Sequence, residues 1–116
     1  SLERPKIDIR RRLEYLYKRT AKKNGVPYKL TFDEFCKLVK QDCFYCGAQP
    51  SQVFEVNRKS DNTLIYNGID RRINHLGYTT DNAKPCCSFC NYIKSAHDIE
   101  VLKTKVRLWS ERVDKW

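Results

Sequence analysis

Six cysteines occur in this 116-residue chain, and four of them are spaced for metal chemistry. Cys43-Phe44-Tyr45-Cys46 and Cys87-Ser88-Phe89-Cys90 are CxxC pairs separated by 40 residues. Two intervening residues let a tight knuckle aim both sulfurs at one ion, and two knuckles complete a tetrahedral four-thiolate zinc site. Gly47 suits the turn that follows the first pair. The competing chemistries fit less well. Structural disulfides belong to exported chains, yet residues 1–12 are mostly charged and lack the apolar stretch of a secretory signal. A thioredoxin-like redox pair would need a strand–helix context that is absent around either CxxC. Cys86 competes with Cys87 for one position, but its spacing to Cys90 is looser. The expected metal ligands are therefore Cys43, Cys46, Cys87 and Cys90. Such a closed shell holds a fold and leaves no open position for a reaction.

Several elements must position these sulfurs. The spacing of Ile9, Leu13, Leu16 and Tyr17 predicts an amphipathic first helix, stopped by Asn24-Gly25 and Pro27. Thr31-Phe32-Asp33-Glu34 has the form of a capping box, which predicts a second helix with Phe35, Leu38 and Val39 inward and Cys36 as a small hydrophobe. Residues 52–56 alternate as a strand, 58–62 read as a polar turn, and 63–66 as the returning strand. Asn67-Gly68 reads as another turn, 69–73 as a third extended run, and 77–82 as a polar loop. A helix then runs through residues 87–94, so a hairpin precedes a helix that carries the second knuckle. Asp98 is the expected N-cap of a last helix, along which Ile99, Leu102, Val106, Trp109 and Val113 form an apolar seam. Trp109 and Trp116 are expected as packing or terminal residues, and His97 as part of the cap region.

The formal charge of +9 is unevenly placed. Residues 1–29 carry +7, residues 30–100 carry −1 and residues 101–116 carry +3. A small basic domain without a long apolar span suggests a polyanion as partner, most often nucleic acid, and argues against a membrane protein. Arg10, Arg11, Arg12, Lys18, Arg19, Lys22 and Lys23 are the candidate phosphate contacts on the first helix.

The run Asn67-Gly68-Ile69-Asp70-Arg71, then Gly77-Tyr78-Thr79-Thr80-Asp81-Asn82, then Cys86-Cys87-Ser88-Phe89-Cys90-Asn91-Tyr92-Ile93-Lys94 resembles the zinc-containing branch of the HNH endonuclease family. It is similar in particular to the small HNH proteins of phages and mobile elements. The resemblance covers residues 43–94, about half the chain, and leaves out both basic flanks. It implies an α+β fold: a small ββα-metal core with a four-cysteine zinc site, flanked by N- and C-terminal helices. The whole is expected as one domain over residues 1–116, with a basic helix in 1–29, the zinc-stapled core in 43–94 and a last helix in 98–114. The resemblance further implies that Asp70 binds or orients a catalytic divalent ion, Mg²⁺ or Mn²⁺, and that Asn82 holds the loop and positions the base. Asn91 takes the place of the second ligand, and Lys94 is the lysine that follows it. Chemistry agrees on one point, since an Asp carboxylate and an Asn carbonyl are the oxygen donors a hard cation prefers. Lys94 lies one helical turn after Asn91, on the same face, where it could touch a substrate phosphate.

One departure matters. The family's general-base His is here Arg71, which stays protonated at neutral pH. Three accounts stay open. His75, the nearby imidazole, takes the role; or Arg71 stabilises charge on the phosphate while a water attacks; or catalysis is lost and only binding survives. The expected function is a metal-dependent endonuclease that hydrolyses DNA phosphodiester bonds, nicking as a monomer or cutting both strands as a dimer. The alternative is a catalytically decayed, zinc-stabilised DNA-binding module. Double-stranded DNA is the expected partner, with a homodimer or a larger parent protein as further possibilities. Reduced thiols suggest an intracellular protein, virus- or phage-encoded or not.

Overall fold

The computed structural model describes residues 8–56 and 62–116. Most of the expected 58–62 turn and the basic residues Arg4 and Lys6 therefore lie outside the described residues. Helix α1 spans Ile9–Lys23, with Asp8 as N-cap accepting from the Arg10 N–H. It stops at Asn24, and Gly25 takes the left-handed conformation at φ +66°. Helix α2 spans Phe32–Lys40 and opens on a complete capping box. Thr31 Oγ1 accepts the Glu34 N–H at 3.1 Å, and the Glu34 carboxylate accepts the Thr31 N–H at 2.9 Å.

Four short strands follow. β1 (Gln52–Glu55) pairs antiparallel with β2 (Thr63–Tyr66), and β3 (Gly68–Arg71) pairs antiparallel with β4 (Ala83–Cys86). These are two separate two-stranded sheets. Three expectations are corrected here. Gly68 opens β3, paired with Cys86, rather than belonging to a turn; its missing side chain serves a close approach, since a Cβ there would meet the Tyr17 hydroxyl at 2.9 Å. The third extended run ends at Arg71, not at residue 73. The hairpin next to the zinc-knuckle helix is β3–β4, and β4 was not foreseen because Pro85 interrupts its sequence pattern. Proline is tolerated there because β4 has a single strand neighbour.

The β3–β4 hairpin separates two clusters. Ile69 and Ala83 face a core built from Leu13, Ala21, Leu30, Phe35, Cys36, Val39 and Tyr78, so α1 and α2 cover that side. Alternation sends Asp70 and Lys84, which are cross-strand partners, to the other face, with Cys86 beside the cysteine cluster. Helix α3 (Ser88–Lys94) covers this face, capped by the Cys87 sulfur, which accepts the Cys90 N–H. The linker between α1 and α2 is laced to the loop before β4. Tyr78 N–H donates to Pro27 O at 2.9 Å, and Lys29 N–H to Tyr78 O at 2.8 Å.

Helix α4 (Ile99–Arg112) begins at Asp98 as the seam spacing predicts, and a 3₁₀ turn (Val113–Lys115) follows it. The seam itself does not enter a core. No residue of α4 is buried, and Trp109 is 52% exposed. The core around Phe35 is closed by α1, α2 and the β3–β4 hairpin, leaving α4 to extend from it. Trp109 and Trp116 meet edge to face at 6.1 Å, as terminal residues rather than core ones.

Candidate active site

The four cysteines of the two knuckles converge. The sulfurs of Cys43, Cys46, Cys87 and Cys90 all lie within 4.8 Å of one another, and Cys46 and Cys87 are 3.7 Å apart. Tetrahedral Zn–S bonds of about 2.3 Å place sulfurs about 3.8 Å apart, so the donor set fits a single zinc-sized ion. Local backbone makes the geometry. Gly47, at φ +80°, closes the first knuckle and donates its N–H to Cys43 O at 2.8 Å. Burial works to raise the Cys43 thiol, but hydrogen bonds from the backbone of Cys87, Cys46 and Tyr45 outweigh it and bring the pKa down to about 6. Those donors favour a thiolate at this position. Cys86 is excluded from the cluster: its thiol donates to Cys87 O at 3.4 Å, and burial pushes it up to about 12. Cys36 is buried in α2 as a hydrophobe.

Next to this cluster lies Asp70, 7% exposed on β3. Its Oδ2 accepts a 2.6 Å hydrogen bond from the Tyr45 hydroxyl and faces the Lys94 ammonium at 3.3 Å. Oδ1 takes no hydrogen bond among the described residues, which leaves one oxygen available to a cation. Tyr45 belongs to the first knuckle, so the zinc-type cluster and the carboxylate share a support. Burial, and the hydrogen bond to Asp70, push its phenol well above the usual range.

Lys94 departs from expectation. It is 1% exposed, donates to Arg71 O at 2.9 Å and to Asn74 Oδ1 at 3.0 Å, and pairs with Asp70. A lysine so enclosed neutralises the carboxylate and does not reach out to a phosphate. Asn91, on the same helix, is exposed and makes no side-chain hydrogen bond among the described residues. Asn82 is buried and ties down the 73–77 loop: Oδ1 accepts from Ile73 N–H, while Nδ2 donates to Ile73 O and to Gly77 O. Arg71 points to the face opposite Asp70, where it donates to Asn74 O at 2.8 Å and lies 5.6 Å from the Tyr78 ring centre. His75 is exposed at the rim of a hollow shared with Asn74 and Asp98. Sequence reasoning missed Tyr45 and Asn74, because their partners lie 25 and 20 residues away in the chain.

The basic face of α1 is partly engaged within the molecule. Glu14 is buried, accepts the Tyr28 hydroxyl at 3.0 Å, and draws Lys18 to 3.5 Å and Arg11 to 3.8 Å. Arg10 pairs with Asp8 at 3.0 Å, and the Arg11 guanidinium lies 3.6 Å from the Phe32 ring centre. Arg12, Arg19, Lys22 and Lys23 are exposed with no ion pair among the described residues.

No family model matches the chain. Over 84 residues it is 39% identical to the uncharacterized protein R423 of Acanthamoeba polyphaga mimivirus, a stretch that makes up 72% of this chain and 14% of that protein. The chain thus spans a small part of the length of the curated relative it matches. Among solved structures it is similar to the rare-cutting HNH restriction endonuclease PacI, with a TM-score of 0.59 and 22% identity over 97% of this chain and 87% of that one. The fold is HNH-endonuclease-like, mixing helices with small antiparallel sheets and bringing four cysteines into position for a metal. Among the described residues, no helix is long and apolar enough to cross a membrane.

Proposed function

We propose that this chain is a divalent-cation-dependent endonuclease unit that hydrolyses DNA phosphodiester bonds, built as one domain around a structural zinc. One observation carries the reading: a nearly buried carboxylate, Asp70, stands on the hairpin of an HNH-like fold with one oxygen held by Tyr45 and the other without a hydrogen bond among the described residues. In this reading Asp70 and Asn91 bind Mg²⁺ or Mn²⁺, hard cations that accept few protein oxygens and keep several waters. When bound, such an ion supplies Lewis-acid polarisation of the phosphate and neutralises the leaving 3′ oxygen. The chain's own residues do the positioning. Tyr45 fixes the carboxylate, Lys94 balances its charge, and Asn82 holds the adjoining loop. Arg12, Arg19, Lys22 and Lys23 on α1 meet backbone phosphates. The likeness to a restriction endonuclease supports DNA as substrate, and the mimivirus relative supports a viral setting.

Arg71 favours a second reading, in which the scaffold binds DNA without cutting it. The residue beside Asp70 is a cation turned toward Asn74 and Tyr78. Among the described residues the carboxylate's partners are Tyr45 and Lys94, with no hydrogen bond or ion pair from an imidazole. The test is cleavage of supercoiled plasmid by zinc-loaded protein with and without Mg²⁺ or Mn²⁺, alongside Asp70→Asn and Arg71→His. Nicking that requires the divalent ion and falls at least about 100-fold in Asp70→Asn is the expected result. Equal cleavage by Asp70→Asn sinks the assignment. A parent that binds but never cuts, with activity gained in Arg71→His, establishes the second reading.

A further inference from the structure

A groove of about 390 Å³ runs along the free edge of β4, between α2 and the first knuckle. Leu38, Ala83 and Pro85 give it an apolar floor. Phe44 forms one wall, 53% exposed, and is anchored because its N–H donates to Pro85 O at 2.8 Å. Two lysines line it: Lys37 on α2, and Lys84, whose ammonium lies 5.2 Å from the Phe44 ring centre. The acid in the groove is already spent, since the Glu34 carboxylate accepts from Thr31 N–H and from Thr80 Oγ1 at 2.7 Å. An apolar floor, an exposed ring and two lysines that form no close ion pair among the described residues suit a flat, anionic ligand. Its place matters as much as its chemistry. Lys84 is the cross-strand partner of Asp70, so their Cβ atoms stand about 5 Å apart on one face of the hairpin. The Lys84 ammonium is turned toward Phe44 in the groove, whereas Lys94 is enclosed against the carboxylate.

We propose that this groove is a nucleotide subsite for a DNA strand, in which Phe44 stacks on an unstacked base and Lys84, with Lys37, meets its phosphates. Its register with Asp70 rests on the nuclease reading; its capacity to bind does not. Aromatic stacking tolerates any base, because every base presents a π-face, and the lysines add a sequence-independent electrostatic contribution.

The test measures binding of the zinc-loaded protein to a fluorescein-labelled 20-nucleotide single strand, and to its duplex, by anisotropy over a KCl series without Mg²⁺ or Mn²⁺. Phe44→Ala weakens single-strand binding at least about five-fold, whereas Phe44→Trp retains it. Lys84→Gln weakens binding and lowers the salt slope by about 0.7 on the single strand. Phe44→Leu separates stacking from mere apolar contact, and it must behave like Phe44→Ala. Binding unchanged in both Phe44→Ala and Lys84→Gln overturns the subsite, as does full binding by Phe44→Leu. A parent that binds no DNA overturns the subsite and the nuclease reading together. A parent that shows the expected losses yet never nicks plasmid overturns the nuclease reading alone.

Discussion

At the scale of single residues, the pair of Asp70 and Lys94 sets the character of the site. Both side chains are nearly removed from water, at 3.3 Å from each other. Desolvating two charges costs about as much as their attraction returns, but deleting one partner leaves an uncompensated buried charge. Lys94→Met therefore destabilises the zinc-loaded protein by about 3–5 kcal/mol in urea unfolding, and the double variant Asp70→Asn/Lys94→Met recovers much of that loss. An additive double variant contradicts the pairing. This pair was only half legible in the sequence. The spacing from Asn91 to Lys94 predicts a shared helix face, yet Asn91 is exposed and Lys94 enclosed, because the Arg71 carbonyl and Asn74 arrive from elsewhere in the chain to take the lysine. The cysteines were more legible, because a CxxC knuckle is a local shape and two of them need only meet. Even the choice of Cys87 over Cys86 followed from local spacing.

At the scale of elements, local signals carried far. The Thr31–Glu34 box, the Asp98 cap and the Asn24-Gly25 stop appear where their chemistry requires them, since each concerns backbone groups within one turn. Strand β4 was hidden because its partner, not its own pattern, makes it a strand. Besides the shared core, a hydroxyl ties α1 to the hairpin: Tyr17 accepts the Ile69 N–H at 3.0 Å, 52 residues away. Burial pushes the Tyr17 phenol above its usual range. A pKa raised on folding means that the neutral form is favoured in the native state. Its stabilising contribution is complete below the unfolded value of about 10 and is lost as pH rises beyond it. Tyr17→Phe thus costs about 1–3 kcal/mol near neutral pH by orphaning the Ile69 N–H. Its stability then falls less steeply than the parent's above pH 10, which chemical denaturation at pH 8 and pH 11 measures.

The whole molecule is extended for its length. Its radius of gyration is 16.7 Å and its longest dimension 66 Å, whereas a compact chain of this size has a radius of about 13 Å. Helix α4 contributes no buried residue: of the apolar seam the sequence announced, Ile99 and Leu102 are half-buried and the rest is exposed among the described residues. Periodicity reports that a helix has an apolar stripe, not that a surface exists to receive it. Inside the extended outline, the cysteine cluster joins the first knuckle to β4 and α3, so one ion would brace both sides of Asp70.

That layout has a spectroscopic consequence. The chain contains two tryptophans, Trp109 and Trp116, and both stand exposed at the C-terminal end, against each other and away from the core. Indole emission is therefore a private report from α4, while the tyrosines Tyr17, Tyr66 and Tyr78 report the core. Stripping zinc with a chelator collapses the circular dichroism signal of the hairpin and α3 and leaves the tryptophan emission maximum almost unmoved, red-shifted throughout and open to acrylamide quenching. A coincident change in both signals would show that α4 leans on the core after all. Fluorescence-monitored melting of this protein would record its projecting helix and pass over the unfolding of the site.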